Sequence, residues 1–182
     1  MNAKQLLLTR QSTPRLTAPA PTEEQLKFIL DAAVRVPDHA GLSPWEFIIA
    51  KESGLDKLAG AFVDAAKKSG ANEELIAKSA KMPFRAPMVI TVVAKYQTHP
   101  KVPMLEQSIA AGCATMAMQQ AVFAIGLGGV WRTGDFAFNN DVKLALGIKE
   151  SDDIVGFLYI GTPMVNAPVK PSKSGSDFAR FL

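Results

Sequence analysis

An α+β domain is predicted by three observations. Short runs rich in β-branched residues alternate with stretches of helical periodicity, one helix candidate is apolar nearly all round, and no linker, repeat or low-complexity segment interrupts the 182 residues. At 48% hydrophobic content a chain of this length builds one substantial core, and a second independent domain would be small. Residues 1–182 therefore read as a single domain, with 164–182 as an extended C-terminal tail.

Each element has its own signal. A first short helix carries Leu6, Leu7 and Leu8 and closes at Thr9 to Ser12. Thr22 with Gln25 is a capping-box pattern, and Leu26, Ile29, Leu30, Ala33 and Val34 then repeat at helical spacing until Pro37 stops the run. Arg35 to Trp45 is a loop. Trp45 to Ala50 reads as a strand, and Met88 to Ala94 as a second that is apolar on both faces and therefore central. Between them, Leu55 to Lys68 and Glu73 to Met82 are amphipathic helices that cover the sheet. Residues 105 to 125 form the longest helix candidate, with small contact positions at Ala110, Ala111, Ala114, Ala117, Ala121 and Ala124. With no solvent face it must be wrapped on every side, and burial against a second copy is the natural solution. Gly128 to Thr133 is a short strand, Asn140 caps a helix over Asp141 to Leu146 that stops at Gly147, and Ile154 to Ile160 is the fourth strand. Beyond Gly161 the tail runs extended along a surface, anchored by Phe178 and Phe181.

Composition removes several function classes. The formal net charge is +3, from 20 basic and 17 acidic residues that are interspersed rather than gathered into one block. Aromatics make up 8% and do not interleave with basic residues, so no nucleic-acid partner is expected. Residues 109 to 130 are apolar over the length of a membrane span, but Gln119, Gln120 and the glycines fit a buried helix running into a glycine turn. The leucines near the N-terminus are too short a run for a signal-peptide core, and Cys113 has no partner for an intrachain disulfide and reads as a buried, inert thiol. A cytoplasmic protein with no membrane partner is the expectation. His39 and His99 are too few and too far apart for a metal site. No Rossmann, Walker or nucleophile-elbow signature is present.

Three local patterns remain. Thr9-Arg10-Gln11-Ser12 places a guanidinium fork and a hydroxyl where they can grip a phosphate, or where a charge and a turn residue simply end a helix. Arg35-Val36-Pro37-Asp38-His39-Ala40-Gly41-Leu42-Ser43-Pro44-Trp45 is a polar loop, longer than most connections, leading into a buried strand. Gly126-Leu127-Gly128-Gly129-Val130-Trp131-Arg132-Thr133-Gly134 caps a helix, turns tightly, and permits close backbone approach to a ligand.

In this order the patterns resemble the nitroreductase family, whose members open with Arg-x-Ser, carry Ala-Pro-Ser-x-x-Asn-x-Gln-Pro-Trp and Gly-Leu-Gly-x-x-Trp, and end a strand in Gly-x-Pro. The matching elements are Arg10 and Ser12, Pro37 to Trp45, Gly126 to Trp131, and Ile154 to Pro163, which span almost the whole chain. Pro-Asp-His from position 37, Trp-Arg-Thr-Gly from 131, Phe84-Arg85-Ala86-Pro87 before the second strand and the short length are most like the compact YdjA-type branch.

The resemblance implies a nitroreductase-like fold: a central, mostly antiparallel sheet flanked by helices, with the long central helix at a dimer interface. It implies an oxidoreductase that holds FMN non-covalently and passes two electrons from NADH or NADPH to a nitroaromatic, quinone or similar small acceptor by a ping-pong mechanism. The FMN phosphate falls to Arg10, Gln11 and Ser12, and the flavin lining to Trp131, Arg132 and Thr133. Arg35 and His39 would come from the partner chain of a homodimer. The backbone of Thr133 or Gly134 would donate to flavin N5, and no side chain need act as a proton-transferring catalyst. Lys170 and Lys173 either complete the phosphate site or are solvated tail charges. For NAD(P) the resemblance points to Ala121, Val122, Phe123, Ala124, Ile125 and Gly126, whose spacing alone reads as core. Two departures matter. Pro14 stands where the family is often basic, so the cation near flavin N1 and O2 must come from Arg35 or Arg132; and Gly41 and Ser43 replace the usual asparagine and glutamine of the loop. A flavin carrier or sensor with little turnover, a flavin reductase specific for a halogenated, enone or heterocyclic substrate, and a structural dimer with an unrelated ligand are the alternatives.

Overall fold

Local side-chain chemistry sets the helix boundaries. In the computed structural model, which describes residues 1–165 and 167–182, the Asn2 side chain accepts from Gln5 N and starts α1 (Ala3–Thr9). Thr22 and Gln25 exchange both bonds of the expected capping box and start α2 (Glu23–Ala33). α3 (Ser53–Lys68) and α4 (Glu73–Lys81) meet at Ser69 and Gly70, and α5 (Met104–Ala124) is the long helix. At α6 (Asn140–Ala145) the cap lies one residue earlier than the sequence reading put it: Asn139, not Asn140, accepts from Asp141 N and Val142 N. Either asparagine has the right chemistry. The tight turn Asp135–Phe138 ends just before Asn139 and leaves it, not its neighbour, in the extended conformation a cap requires.

Five strands form the sheet: β1 (Leu16–Thr17), β2 (Trp45–Lys51), β3 (Met88–Ala94), β4 (Gly128–Arg132) and β5 (Asp153–Pro163). β5 is the organising strand. It pairs with β3, β4 and β1, and β3 pairs in turn with β2; every described pairing is antiparallel.

Every residue of β3 is buried, because both faces of the sheet are covered. Met88, Ile90 and Val92 pack with Leu26 and Ile29 of α2 and Met118 of α5. Val89 and Val93 point to the opposite face, toward Leu58 and Phe62 of α3. Burying each such side chain contributes about 1.5–3 kcal/mol. α5 is different: its uncovered side is as apolar as its covered one. Ala110, Ala111, Ala114 and Ala121 face the sheet and α2, whereas Leu105 and Ile109 are 69% and 56% exposed on a stripe that continues through Ala117 and Ala124. Cys113, expected to be buried, lies half-covered on that same stripe. The tail anchors are also not made within the chain, since Phe178 and Phe181 are 75% and 95% exposed. No helix among the described residues is long and apolar enough to cross a membrane.

One tight approach fixes the β4 edge. The β3–β5 register shifts between Val92 and Val93, skipping Val155, and the carbonyl this frees from the ladder accepts the Trp131 indole N–H at 3.2 Å. The indole occupies the place of a side chain at Gly156, where a Cβ would lie 2.1 Å from Trp131 Nε1. Gly156→Ala must therefore expel Trp131, and we expect a loss of about 1–3 kcal/mol in denaturant unfolding. A variant within about 0.5 kcal/mol of the parent, inside the usual range for neutral surface changes, would show that the indole is not held there.

Candidate functional site

The first cluster forms where the chain leaves α1. Arg10 is the C-cap residue of α1, and its Nη1 is buried with no hydrogen-bond partner among the described residues. Two positions on, Ser12 Oγ accepts from Gln119 Nε2 at 3.2 Å, and the same amide donates to Gly129 O at 3.2 Å. Thr13 N also donates to Gly129 O, at 2.9 Å. This stretch is thus pinned between the C-terminal half of α5 and the start of β4. Gln11 turns the other way: its Nε2 donates to Ala167 O and Pro168 O, and its Oε1 accepts from Lys170 N. The tail is clamped there, with the Lys170 main chain tied to the Gln11 side chain, whereas the Lys173 ammonium lies 5.8 Å from the Phe178 ring within the tail itself.

The far end of β4 holds Trp131 and Arg132, followed by Thr133, about 7 to 13 Å along the chain from Gly129 at 3.3 Å per residue. Alternation splits them. Trp131 pairs with Leu158 and faces α5, with its ring 3.8 Å from where a Cβ on Gly112 would lie. Arg132 pairs with Phe157 and faces the opposite side of the sheet, its guanidinium 5.9 Å from the Tyr159 ring centre. Its Nε is the other buried, unpartnered side-chain polar atom among the described residues. Thr133 and Gly134 are exposed, and their N–H groups donate to no backbone carbonyl of the described residues. A pocket of about 600 Å³ opens beside them, lined by Phe62, Phe136, Tyr159, Lys78, Arg85 and Arg132 among others. Burial pushes the Tyr159 phenol above its ordinary value, while Arg85 and Arg132 draw it down.

The Arg35-to-Trp45 loop is held in an uncommon shape. Ala40 (φ 63°) and Ser43 (φ 48°) both adopt left-handed conformations although neither is glycine. Each costs energy that the surroundings must offset. Asp38 supplies the offset: its carboxylate accepts from Leu42 N at 3.0 Å and from Ser43 N at 2.7 Å. Arg35 and His39 are exposed, and His39 Nδ1 lies 2.7 Å from Glu106 Oε2 in the first turn of α5. Glu106 and Gln119 are about 20 Å apart along the helix at 1.5 Å per residue. Within one chain, then, the structure sets Arg10 and Ser12 at the C-terminal half of α5, ties the Lys170 main chain to Gln11 between them, and sets Trp131 to Thr133 farther along the β4 edge, but it leaves Arg35 and His39 at the other end of α5. Of the run from Ala121 to Gly126, Ala121 and Val122 are buried in the core, and only Phe123, Ala124, Ile125 and Gly126 keep surface.

Sequence reasoning missed Gln119, Asp38, Glu106 and Tyr159. A buried glutamine inside an apolar helix was the one available signal for Gln119. Asp38 stood within a recognised motif, but its role depends on backbone angles that no spacing reveals.

Residues 7–162 match the Nitroreductase family. YdjA of Escherichia coli (strain K12), named as a candidate NAD(P)H nitroreductase, is 46% identical over 167 residues, covering 92% of this chain and 91% of its own. Among solved structures, a nitroreductase-like family protein from Bacillus cereus superposes with a TM-score of 0.87 at 22% identity, covering 100% of this chain and 96% of that one. A nitroreductase with bound FMN from Bacteroides fragilis NCTC 9343 gives a TM-score of 0.74 at 19% identity, covering 100% of both chains. At these identities the structural likeness establishes the fold.

Replacing Asp38 by alanine removes both acceptors that hold the loop. Hydrogen bonds to a charged group contribute about 1.5–3 kcal/mol, so Asp38→Ala should lower the melting temperature and open residues 38–44 to limited proteolysis. Unchanged cleavage would mean that the left-handed residues are held by something else.

Proposed function

Since the chain belongs to the nitroreductase family, a family of oxidoreductase enzymes, we propose that it binds FMN non-covalently between two copies of itself and passes two electrons from NAD(P)H to a small nitroaromatic or quinone acceptor. The observation that carries the reading is the buried, unpartnered Nη1 of Arg10 beside Ser12. A guanidinium nitrogen removed from water without an acceptor costs several kcal/mol, and a phosphate at that place removes the cost. Ser12, oriented by Gln119, adds a hydroxyl, and Lys170, brought in by Gln11, adds a charge. The residues present therefore fit an anionic mononucleotide end.

From that cradle a ligand running along β4 meets Trp131 on the α5 side and the exposed N–H groups of Thr133 and Gly134. Arg132 joins this lining through its main chain, because its guanidinium is on the other face. That leaves Arg35 of the partner subunit as the cation for the flavin N1 and O2 edge, in place of the one Pro14 cannot supply. When bound, FMN supplies the hydride chemistry. The protein's part is to orient the donor, exclude it once oxidised, and admit the acceptor to the same face, which makes the cycle ping-pong. Phe123, Ala124 and Gly126 keep the surface that a nicotinamide nucleotide would need there. The half-exposed, unpaired Cys113 suits a reducing compartment, and we place the reaction in the cytoplasm.

The need for two copies follows from α5. A two-fold axis across its middle lays the Glu106 end of one helix against the Gln119 end of the other, covers the Leu105, Ile109 and Ala117 stripe, and carries Arg35 and His39 of the partner subunit toward Arg10 and Ser12.

Purified protein should be yellow and should bleach when NADH or NADPH is added without oxygen. Yellow protein that does not bleach would identify a flavin carrier instead. Arg10→Ala should weaken FMN binding by about 1.5–3 kcal/mol, the contribution of a charge-assisted contact, which is roughly 10- to 150-fold. An unchanged FMN dissociation constant would exclude Arg10 from the cradle.

A further inference from the structure

The pocket on the sheet face opposite α5 plays no part in the phosphate cradle, yet it has the features of a built site. Its wall is aromatic. Phe62 and Phe136 stack with ring centres 4.4 Å apart and planes within 4°, and Phe157 meets Phe62 edge-on at 5.2 Å. Opposite this wall, Lys78, Arg85 and Arg132 supply three cations against one carboxylate, Asp135. None of the three cations is in an ion pair among the described residues. The Nε of Arg132 is buried without an acceptor. Tyr159 is 3% exposed and lines the pocket under the influence of Arg85 and Arg132, and its hydroxyl has no side-chain hydrogen bond among the described residues. A buried N–H that lacks an acceptor, a phenol free to donate and unpaired cations above a stacked apolar floor call for an anion attached to a flat ring. The volume of about 600 Å³ is in the range of small-molecule sites.

We propose that this pocket binds a small aromatic carboxylate, its ring against Phe136, which Phe62 backs from the core, and its carboxylate between Arg132, Arg85 and the Tyr159 hydroxyl. The pocket opens at Thr133 and Gly134, so the bound ring lies next to the edge assigned to the flavin without sharing the Arg10 cradle.

Benzoate is the simplest probe and benzamide its neutral match. Calorimetry on the protein as purified, with its flavin, should show benzoate binding and no measurable benzamide binding. Arg85 is exposed, and no flavin role is assigned to it, so Arg85→Gln keeps the fold and the flavin site. That change should weaken benzoate binding about tenfold, the loss of one charge-assisted contact, and Lys78→Gln should weaken it less. Equal affinity for benzoate and benzamide, or an Arg85→Gln variant that binds benzoate as the parent does, would overturn the proposal. So would release of flavin fluorescence in step with benzoate binding, which would put the carboxylate in the phosphate cradle. Because the readout is binding, it does not depend on turnover: a protein that binds benzoate at Arg85 but never bleaches retains this site and loses only the proposed reaction.

Discussion

α5 is apolar all round, and one chain can cover only half of it. The sheet and α2 take the Ala110, Ala114 and Met118 side. Among the described residues, Leu105 and Ile109 stay largely exposed and Ala117 is only partly covered. Each large apolar side chain left in water forgoes about 1.5–3 kcal/mol of burial, a sizeable fraction of the 5–15 kcal/mol by which domains are stable. Leu7 and Leu8 of α1 and Phe178 and Phe181 of the tail are large apolar side chains left exposed as well. That uncovered side of α5 is the ground on which the proposed dimer rests.

The layout of the site follows from that helix. Its C-terminal half holds Gln119, which positions Ser12 and hence the cradle at Arg10; its first turn holds Glu106, against which His39 rests. The helix thus keeps Arg10 and Ser12 apart from Arg35 and His39 within a chain, and only the proposed two-fold contact would join them. The bulge at Val155 does the equivalent work at the other end of β4. It seats Trp131 on the α5 side and, by strict alternation, sends Arg132 into the pocket on the opposite face. One edge strand in this way presents a ring-lining indole to one face and a guanidinium to the other.

Much of this was legible in the sequence. Met88 to Ala94 could be bounded to the residue because an unbroken apolar run with β-branched residues has few other readings, and the Thr22–Gln25 box announced α2. The three motifs fall on the segment after α1, the loop before β2 and the β4 edge. What stayed hidden depends on three-dimensional approach. The bulge exists because Trp131 needs the space over Gly156, a contact between residues 25 positions apart. Gln119 looked like a polar blemish in an apolar helix until Ser12 came within 3.2 Å. Neighbouring asparagines could not be ranked as caps without the turn that precedes them. The lack of a solvent face on α5 was legible from its alanines, but spacing could not tell Ala114, which is buried in this chain's own core, from Ala117, which is only partly covered.

The central claim is that flavin binding and association of two chains are one event. Sedimentation velocity followed at the flavin absorbance over a dilution series tests it directly, because only protein that retains FMN is seen. The account predicts that all protein-bound flavin sediments as dimer, and that dilution far enough to dissociate the dimer releases FMN in the same step. A folded monomer that carries stoichiometric FMN would contradict it.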